Sequence, residues 1–554
     1  MADYDAIVIG SGSGGLSAAL ALARAGKRVC VFEQHTLPGG YSQSFSVQGF
    51  SFSPGVHYIG QLGPGGGLRR IYEGLGVADS LEFFELDPDG YDRAFIGSER
   101  FDIPKGREAL AERLRRRFPG ESAGIDAYLS TVDRMSRELT WARPPHGLAE
   151  ALLQPLRLRT VLRYGMLPLG RFLDRFTHDP LLRGILSIQA GDHAMAPSRA
   201  PAALHAGLQS YYFEGGCYPR GGGHAIPDAF VEQIERHAGD VVLGAEVSHI
   251  LVEAGRVVGV RLADGSSASA PCIVSNTDPG VTWGRLVERE HVPRRLRRRI
   301  RRTRYSLSTL SCFLGVDMDL RGAGLDSGNV WYSRTTDIDA AYRLAERSEL
   351  SGDEEVPGLF FNVSTLKDPT LRSDGLHTVE AMALVSARAF ARWRRFPMGQ
   401  RPPDYHALKE RLADRILDAV ERFVPSFREH VVFRAVATPL TNEFFLHANE
   451  GGIYGTEKTL RNLGPFAFPV RAPLAGLFQC GASTLAPGIN GVTRSGLMAA
   501  AAALECDEDE LLTATGQRLR IYPAEDPGAW PPELRAGLRA DRGKEGRDAA
   551  QATG

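Results

Sequence analysis

The residues that most constrain this chain lie at its start. Ala6-Ile7-Val8-Ile9 is a short apolar run of the kind buried on both faces in a parallel sheet. Gly10-Ser11-Gly12-Ser13-Gly14-Gly15 follows at once, and Gly10, Gly12 and Gly15 satisfy G-x-G-x-x-G. Leu16 to Ala25 is rich in helix formers and stops at Gly26; Arg28 to Phe32 is a second strand pattern, closed by the acid Glu33. Gly10 permits the tight turn out of the strand, Gly12 lets backbone approach a pyrophosphate, and Gly15 lets helix and strand pack closely. The helix N-terminus offers free N–H groups to phosphate. Glu33 lies 18 residues beyond Gly15, where a carboxylate accepts hydrogen bonds from a ribose and disfavours a 2′-phosphate. A lone G-x-G-x-x-G is weak evidence. Strand, glycines, helix, strand and acid in order within about 30 residues make a dinucleotide-binding unit.

With 554 residues, the chain exceeds what one hydrophobic core supports, so two or more units are expected. The net charge of −1 argues against a dedicated nucleic-acid binder. The six cysteines show no metal-ligand spacing, no metal site is expected, and the thiols read as reduced in a cytosolic protein. No basic-then-apolar leader precedes the first strand, and no apolar run reaches 18 residues. The expectation is a cytoplasmic, non-secreted protein with at most peripheral membrane contact.

Beyond Glu33, Gln34-His35-Thr36-Leu37-Pro38-Gly39-Gly40-Tyr41 carries a glycine pair suited to close approach to a ligand. With Phe52-Ser53-Pro54-Gly55-Val56-His57-Tyr58-Ile59-Gly60, this segment resembles the FAD-dependent amine oxidase superfamily, and within it the phytoene desaturase, carotenoid isomerase and retinol saturase group, most closely the retinol saturase branch. The resemblance covers roughly residues 1–505, in stretches at 6–60, 211–280 and 438–504. It extends to Gly215-Gly216 with Pro219-Arg220-Gly221-Gly222, spaced by two residues where the family has three, and to Gly481 through Gly496.

The resemblance implies an α/β chain (α+β overall): a Rossmann-type FAD-binding domain from 1–75, 206–284 and 431–508, and an inserted sheet-plus-helices substrate domain from 76–205 and 285–430. The cofactor set it implies is Gly10, Ser11, Gly12, Gly14, Gly15, Glu33, Gln34, Gly39, Gly40, Tyr41, Val247, Gly481, Asn490, Gly491 and Val492. Pro487 to Val492 reads as a loop and Ser495-Gly496 as the opening of an Ala-rich helix. The implied chemistry is hydride exchange at flavin N5 with a carbon–carbon bond of an apolar isoprenoid or polyene lipid, with NAD(P)H or a quinone as external redox partner. Desaturation, saturation and isomerisation all fit, and the Val56–Gly60 likeness favours saturation. Among the acid/base candidates His57, His205, Glu443 and His447, the catalytic expectation falls on His57 and Glu443. An amine or amino-acid oxidase on the same FAD domain is the alternative, and a flavin-binding module without turnover is a third reading.

Two basic segments stand apart. After a helix break at Pro144-Pro145, residues 148–176 mix Leu, Met and Phe with arginines and are divided into short helices by Pro155 and Pro168, and residues 294–304 hold eight arginines in eleven positions. Each reads as a solvated face or as a contact with anionic lipid. The sequence does not indicate an oligomeric state. The tail 524–554, rich in Pro, Gly and charge, is expected to be disordered.

Overall fold

The computed structural model describes residues 2–140, 148–372 and 374–535. The first strand, Ala6–Ile9, is flanked in parallel by Val29–Phe32 and Ile273–Ser275; Asp240–Val242 and Leu477–Gln479 complete a five-stranded sheet. Four of its strands are buried on both faces, as their apolar runs require, while the edge strand Asp240–Val242 is largely exposed. Helix Ser13–Arg24 packs against helix Gly488–Leu504 so closely that a Cβ on Gly496 would sit 1.9 Å from the Gly14 carbonyl oxygen. Alanines line both helices and permit that approach.

A seven-stranded sheet forms the second unit. Its order is Val431–Ala437, Ser308–Val316, His377–Val385, Gly358–Val363, Asn329–Ser333, Asp92–Ile96 and Glu99–Ile103. Helix Pro403–Val420 buries its apolar stripe on one face of this sheet. A helical layer, including Ser122–Thr140 and Ala202–Tyr212, packs against Trp331 and Phe360.

The domain boundaries differ from those expected in four places. Val431–Ala437 pairs with Ser308–Val316, so the nucleotide unit resumes after residue 437. Ala206 and Tyr212 belong to the core of the helical layer, not to the nucleotide unit. Phe83 is buried in the nucleotide core, and its strand Glu82–Glu85 pairs with Cys217–Pro219 and Arg520–Pro523. The expected disordered tail begins too early, because Ala524, Trp530 and Leu534 are buried against Phe84. An indole beside another ring outweighs the unfavourable local composition; residues 536–554 lie outside the described residues.

Two helix readings also shift. The last helix opens at Gly488, not at Ser495. Helix Leu148–Arg157 runs through Pro155, while Pro168 does mark a boundary. The arginine run forms the helix Arg294–Ile300 on the surface, docked through Leu296 and Ile300. The break expected at Pro144-Pro145 lies outside the described residues. Among those residues, no helix is long and apolar enough to cross a membrane.

Candidate functional site

A cavity of about 420 Å³ lies where the two units meet. On its nucleotide side the wall is largely backbone. Gly10, Gly12 and Gly14 line it, with Gly39, Gly40 and Tyr41 beside them and Gly481, Gly488, Ile489 and Val492 also on the wall. Gly10 (φ 92°) and Gly39 (φ 113°) hold left-handed conformations that a side chain would strain. A Cβ on Gly12 would sit 2.7 Å from Asn276 Nδ2, and one on Gly14 would sit 2.7 Å from Asn276 Oδ1 and 2.9 Å from the Val492 carbonyl oxygen. Neither Gly12 nor Pro487, the residues that begin the two long helices, offers a side-chain cap. Two helix N-termini therefore reach one cavity with free N–H groups and the positive ends of their dipoles.

Glu33 is buried at the end of its strand. Its Oε2 accepts from the Ser11 amide (2.8 Å) and hydroxyl (2.7 Å), and its Oε1 accepts from the His35 amide (2.8 Å). These bonds fix the carboxylate on the wall, where Gln34 and Val247 also stand. Arg285, paired with Glu246 at 2.8 Å, lies 3.2 Å from His447 Nδ1. Burial and Arg285 lower the His447 pKa, so this histidine serves as the arginine's acceptor.

The substrate side of the wall is apolar: Ile188, Trp331, Tyr342, Phe360, Met382 and Leu384 face the space. Polar side chains interrupt it there, among them His57, Tyr58 and Asp192. His57 Nδ1 is 3.1 Å from Glu380 Oε2 and 3.2 Å from Asn362 Nδ2, and its ring lies against Phe360. Behind it, Lys367 is wholly buried and donates to the His57 carbonyl at 2.6 Å, to Asn329 Oδ1 at 2.5 Å and to Asn362 Oδ1 at 3.1 Å. Burial lowers the Lys367 pKa to about 7 against the opposing pull of Glu380 and Asp92.

Twelve of the expected residues line this one cavity: Gly10, Gly12, Gly14, Glu33, Gln34, Gly39, Gly40, Tyr41, His57, Val247, Gly481 and Val492. Others do not reach it. The Ser11 hydroxyl is spent on Glu33 and on the Gly39 amide. Gly15 and Gly491 serve packing, since a Cβ on either would meet the carbonyl oxygen of Gly10 at 2.1 Å or of Ala486 at 2.5 Å. Asn490 sits in the first turn of the last helix, off the wall.

Glu443 is corrected as a catalytic residue. Both its oxygens accept from Arg394, at 2.8 and 2.5 Å, away from the cavity, while its neighbours Phe445 and Leu446 line it. His205 is buried against His193 and the Leu186 carbonyl, with a pKa lowered to about 4 by burial. Asp192, Asp92, Lys367 and Glu380 were not anticipated. The one available signal was a charge inside an apolar strand, as at Glu380 in Thr378–Val385.

A parallel dinucleotide sheet, a second sheet-and-helix unit and a cavity between them define a nucleotide-cofactor-binding protein. The chain belongs to the flavin containing amine oxidoreductase family, whose family model matches residues 13–504, and FAD is its cofactor. It is 29% identical to the all-trans-retinol 13,14-reductase of Rattus norvegicus over 548 residues, covering 93% of this chain and 88% of that protein. It is 27% identical to the chloroplastic prolycopene isomerase of Arabidopsis thaliana over 511 residues, covering 90% and 82%. Two solved structures share the fold: an oxidoreductase from Methanosarcina mazei (TM-score 0.63, 18% identity, covering 89% of this chain and 99% of that one) and putrescine oxidase with bound putrescine (0.61, 18%, 91% and 99%).

Proposed function

We propose that this flavoprotein saturates a carbon–carbon double bond of an apolar polyene or isoprenoid lipid. The observation that carries this reading is the apolar wall from Ile188 to Leu384, which shares one cavity with the two uncapped helix N-termini. The relatives named for a retinol reductase and a prolycopene isomerase support the same substrate class.

The residues fit FAD. Gly10, Gly12, Gly14 and the first helix N-terminus would hold the diphosphate, Glu33 a ribose, and the Val247 backbone the adenine. Gly481 and the helix opening at Gly488 would hold the flavin pyrimidine end, where a helix dipole favours negative charge on the reduced ring. Bound there, the flavin supplies two-electron exchange with carbon. The chain's part is to exclude water, to align the polyene along the aromatic wall and to present His57, Tyr58 and Asp192 as the polar groups beside it.

An external reductant, NAD(P)H or a quinol, has to supply the electrons. Delivery of so insoluble a substrate fits a membrane-docked enzyme. Leu152, Leu153, Leu156, Leu162 and Met166 are exposed beside Arg159 and Arg163, an apolar and basic surface suited to anionic lipid.

The test is flavin spectroscopy on the purified protein without oxygen. NAD(P)H or dithionite is expected to bleach the flavin, and an unsaturated polyene presented in anionic vesicles to restore its colour, with the saturated product recovered. Recolouring by no polyene, together with bleaching by an amine, would replace this reading with the amine oxidase alternative.

A further inference from the structure

Asp192 stands on the substrate-side wall, in the turn Ile188–His193. Gly191 beside it has no room for a side chain, since a Cβ there would lie 2.2 Å from the Trp331 ring, so the turn is pressed against the apolar wall. Tyr58 Oη is 2.7 Å from Asp192 Oδ2 and 3.2 Å from Asp92 Oδ2. A phenol carries one hydrogen, so it donates to one carboxyl and serves the other only as an acceptor.

The surroundings decide which is which. Asp92 is fully buried and has two further donors: Gln189 Nε2 at 2.7 Å and Asn329 Nδ2 at 2.8 Å. The Lys367 ammonium on Asn329 Oδ1 orients that amide with its N–H toward Asp92. Asp92 is therefore the carboxylate, and the Tyr58 hydrogen completes its shell. A hydrogen bond between Tyr58 and Asp192 then requires Asp192 to be the donor. Burial, reinforced by the Asp92 charge, pushes Asp192 well above the usual carboxylate range; burial raises Asp92 only to about 6, because its hydrogen bonds hold it down.

Resting on the reading of a carbon–carbon double bond as the substrate, the geometry points to Asp192 as the acid that delivers the proton to carbon, with Tyr58 and Asp92 as the positioning residues that keep that proton on it. Saturating a double bond takes a hydride equivalent at one carbon and a proton at its neighbour. The first comes from the reduced flavin, which a dihydronicotinamide or quinol restores. The second comes from Asp192: its O–H bond breaks, the π pair of the double bond closes the new C–H bond, and Asp192 is left ionised. Tyr58 turns its hydrogen to the new carboxylate until a proton from water restores the neutral acid. His57, whose Nδ1 is 3.1 Å from Glu380 Oε2, is another polar side chain on this wall, and the Asp192→Asn test below separates the two.

The experiment uses flavin-loaded protein carrying carboxyl-¹³C aspartate. Infrared spectra without substrate are expected to show the C=O stretch of a protonated carboxyl that disappears in Asp192→Asn and shifts in Tyr58→Phe, at unchanged flavin content. With a polyene that the wild type reduces, Asp192→Asn is expected to lose about 10²- to 10⁴-fold in kcat while dithionite still bleaches its flavin. If the wild type reduces a polyene and Asp192→Asn stays within tenfold of it, or the band is absent, the assignment falls and the saturase reading stands. If the wild type reduces no polyene, the saturase reading falls and takes the catalytic role of Asp192 with it, whatever the infrared band shows.

Discussion

The two sides of the cavity are built by opposite means. On the nucleotide side the working parts are backbone: glycines that no side chain fits and two helix starts that no side chain caps. On the substrate side they are side chains. Asp192, Tyr58, Asp92, Asn329, Lys367, Asn362, Glu380 and His57 form one hydrogen-bonded chain that reaches the apolar wall at Asp192, Tyr58 and His57. The first kind of site tolerates change in what surrounds it but not in its glycines. The second is a buried polar network, in which every member depends on the others being satisfied.

Lys367 is where the second kind of site is most easily broken. Replacing it with Met leaves three acceptors unserved and two carboxyls, Asp92 and Glu380, without their cation. Removing one partner of a buried charge cluster costs about 3–5 kcal/mol. Chemical denaturation is expected to show a loss of that size, and a loss under 1 kcal/mol would mean the network carries no stability. The pH dependence has a defined sign. The folded value of about 7 lies below the ordinary ammonium value of about 10.4. Between these, the unfolded chain binds the proton that the folded chain releases, so this group makes stability rise with pH across the window, and its cost is complete below about pH 7. The wild type is expected to gain stability from pH 7 to 9, and Lys367→Met to lose that slope.

The nucleotide side is broken by adding one methyl group. Gly14→Ala places a Cβ 2.7 Å from Asn276 Oδ1 and 2.9 Å from the Val492 carbonyl, where the two long helices and the strand end at Ser275 converge. Overpacking of this kind costs about 1–3 kcal/mol. Here it falls on the proposed diphosphate cradle, so FAD affinity is expected to drop by about 10- to 100-fold. Equilibrium titration of the apoprotein with FAD reads it directly. Unchanged affinity would mean that the cradle yields and is not built to tolerance.

The same contrast explains what was legible. Gly10, Gly12, Gly14, Glu33, Gly39 and Gly40 lie within 31 consecutive positions, and their function follows from local conformation, which residue type and spacing encode. The strands at 308–316, 358–363 and 377–385 were legible for the same reason, being apolar runs with local periodicity. The substrate-side chain spans positions 57 to 380, and no spacing predicts which buried charges meet. Asp92 and Asp192 become neighbours only because Tyr58 lies between the helical turn at Ile188–His193 and the sheet strand Asp92–Ile96. The boundary at residue 437 was missed because the strand Val431–Ala437 is half-exposed at a sheet edge, where its pattern does not reveal its partner.

Glu443 gives the smallest effect and the sharpest control. Its helix Pro439–Leu446 turns Phe445 and Leu446 to the cavity and Glu443 to Arg394. Position in the sequence therefore made it resemble a site residue, while its side chain serves the surface. The pair is bidentate, and its hydrogen bonds raise the Arg394 pKa, yet the arginine side chain is 49% exposed and solvent screens it. Glu443→Gln is expected to cost about 0.5–1 kcal/mol in denaturation, with flavin content and polyene turnover unchanged. A hundredfold loss of turnover at full flavin content would place Glu443 in the chemistry after all. It would also break the contrast between the two sides of the cavity, because a side chain outside the wall would then control the reaction within it.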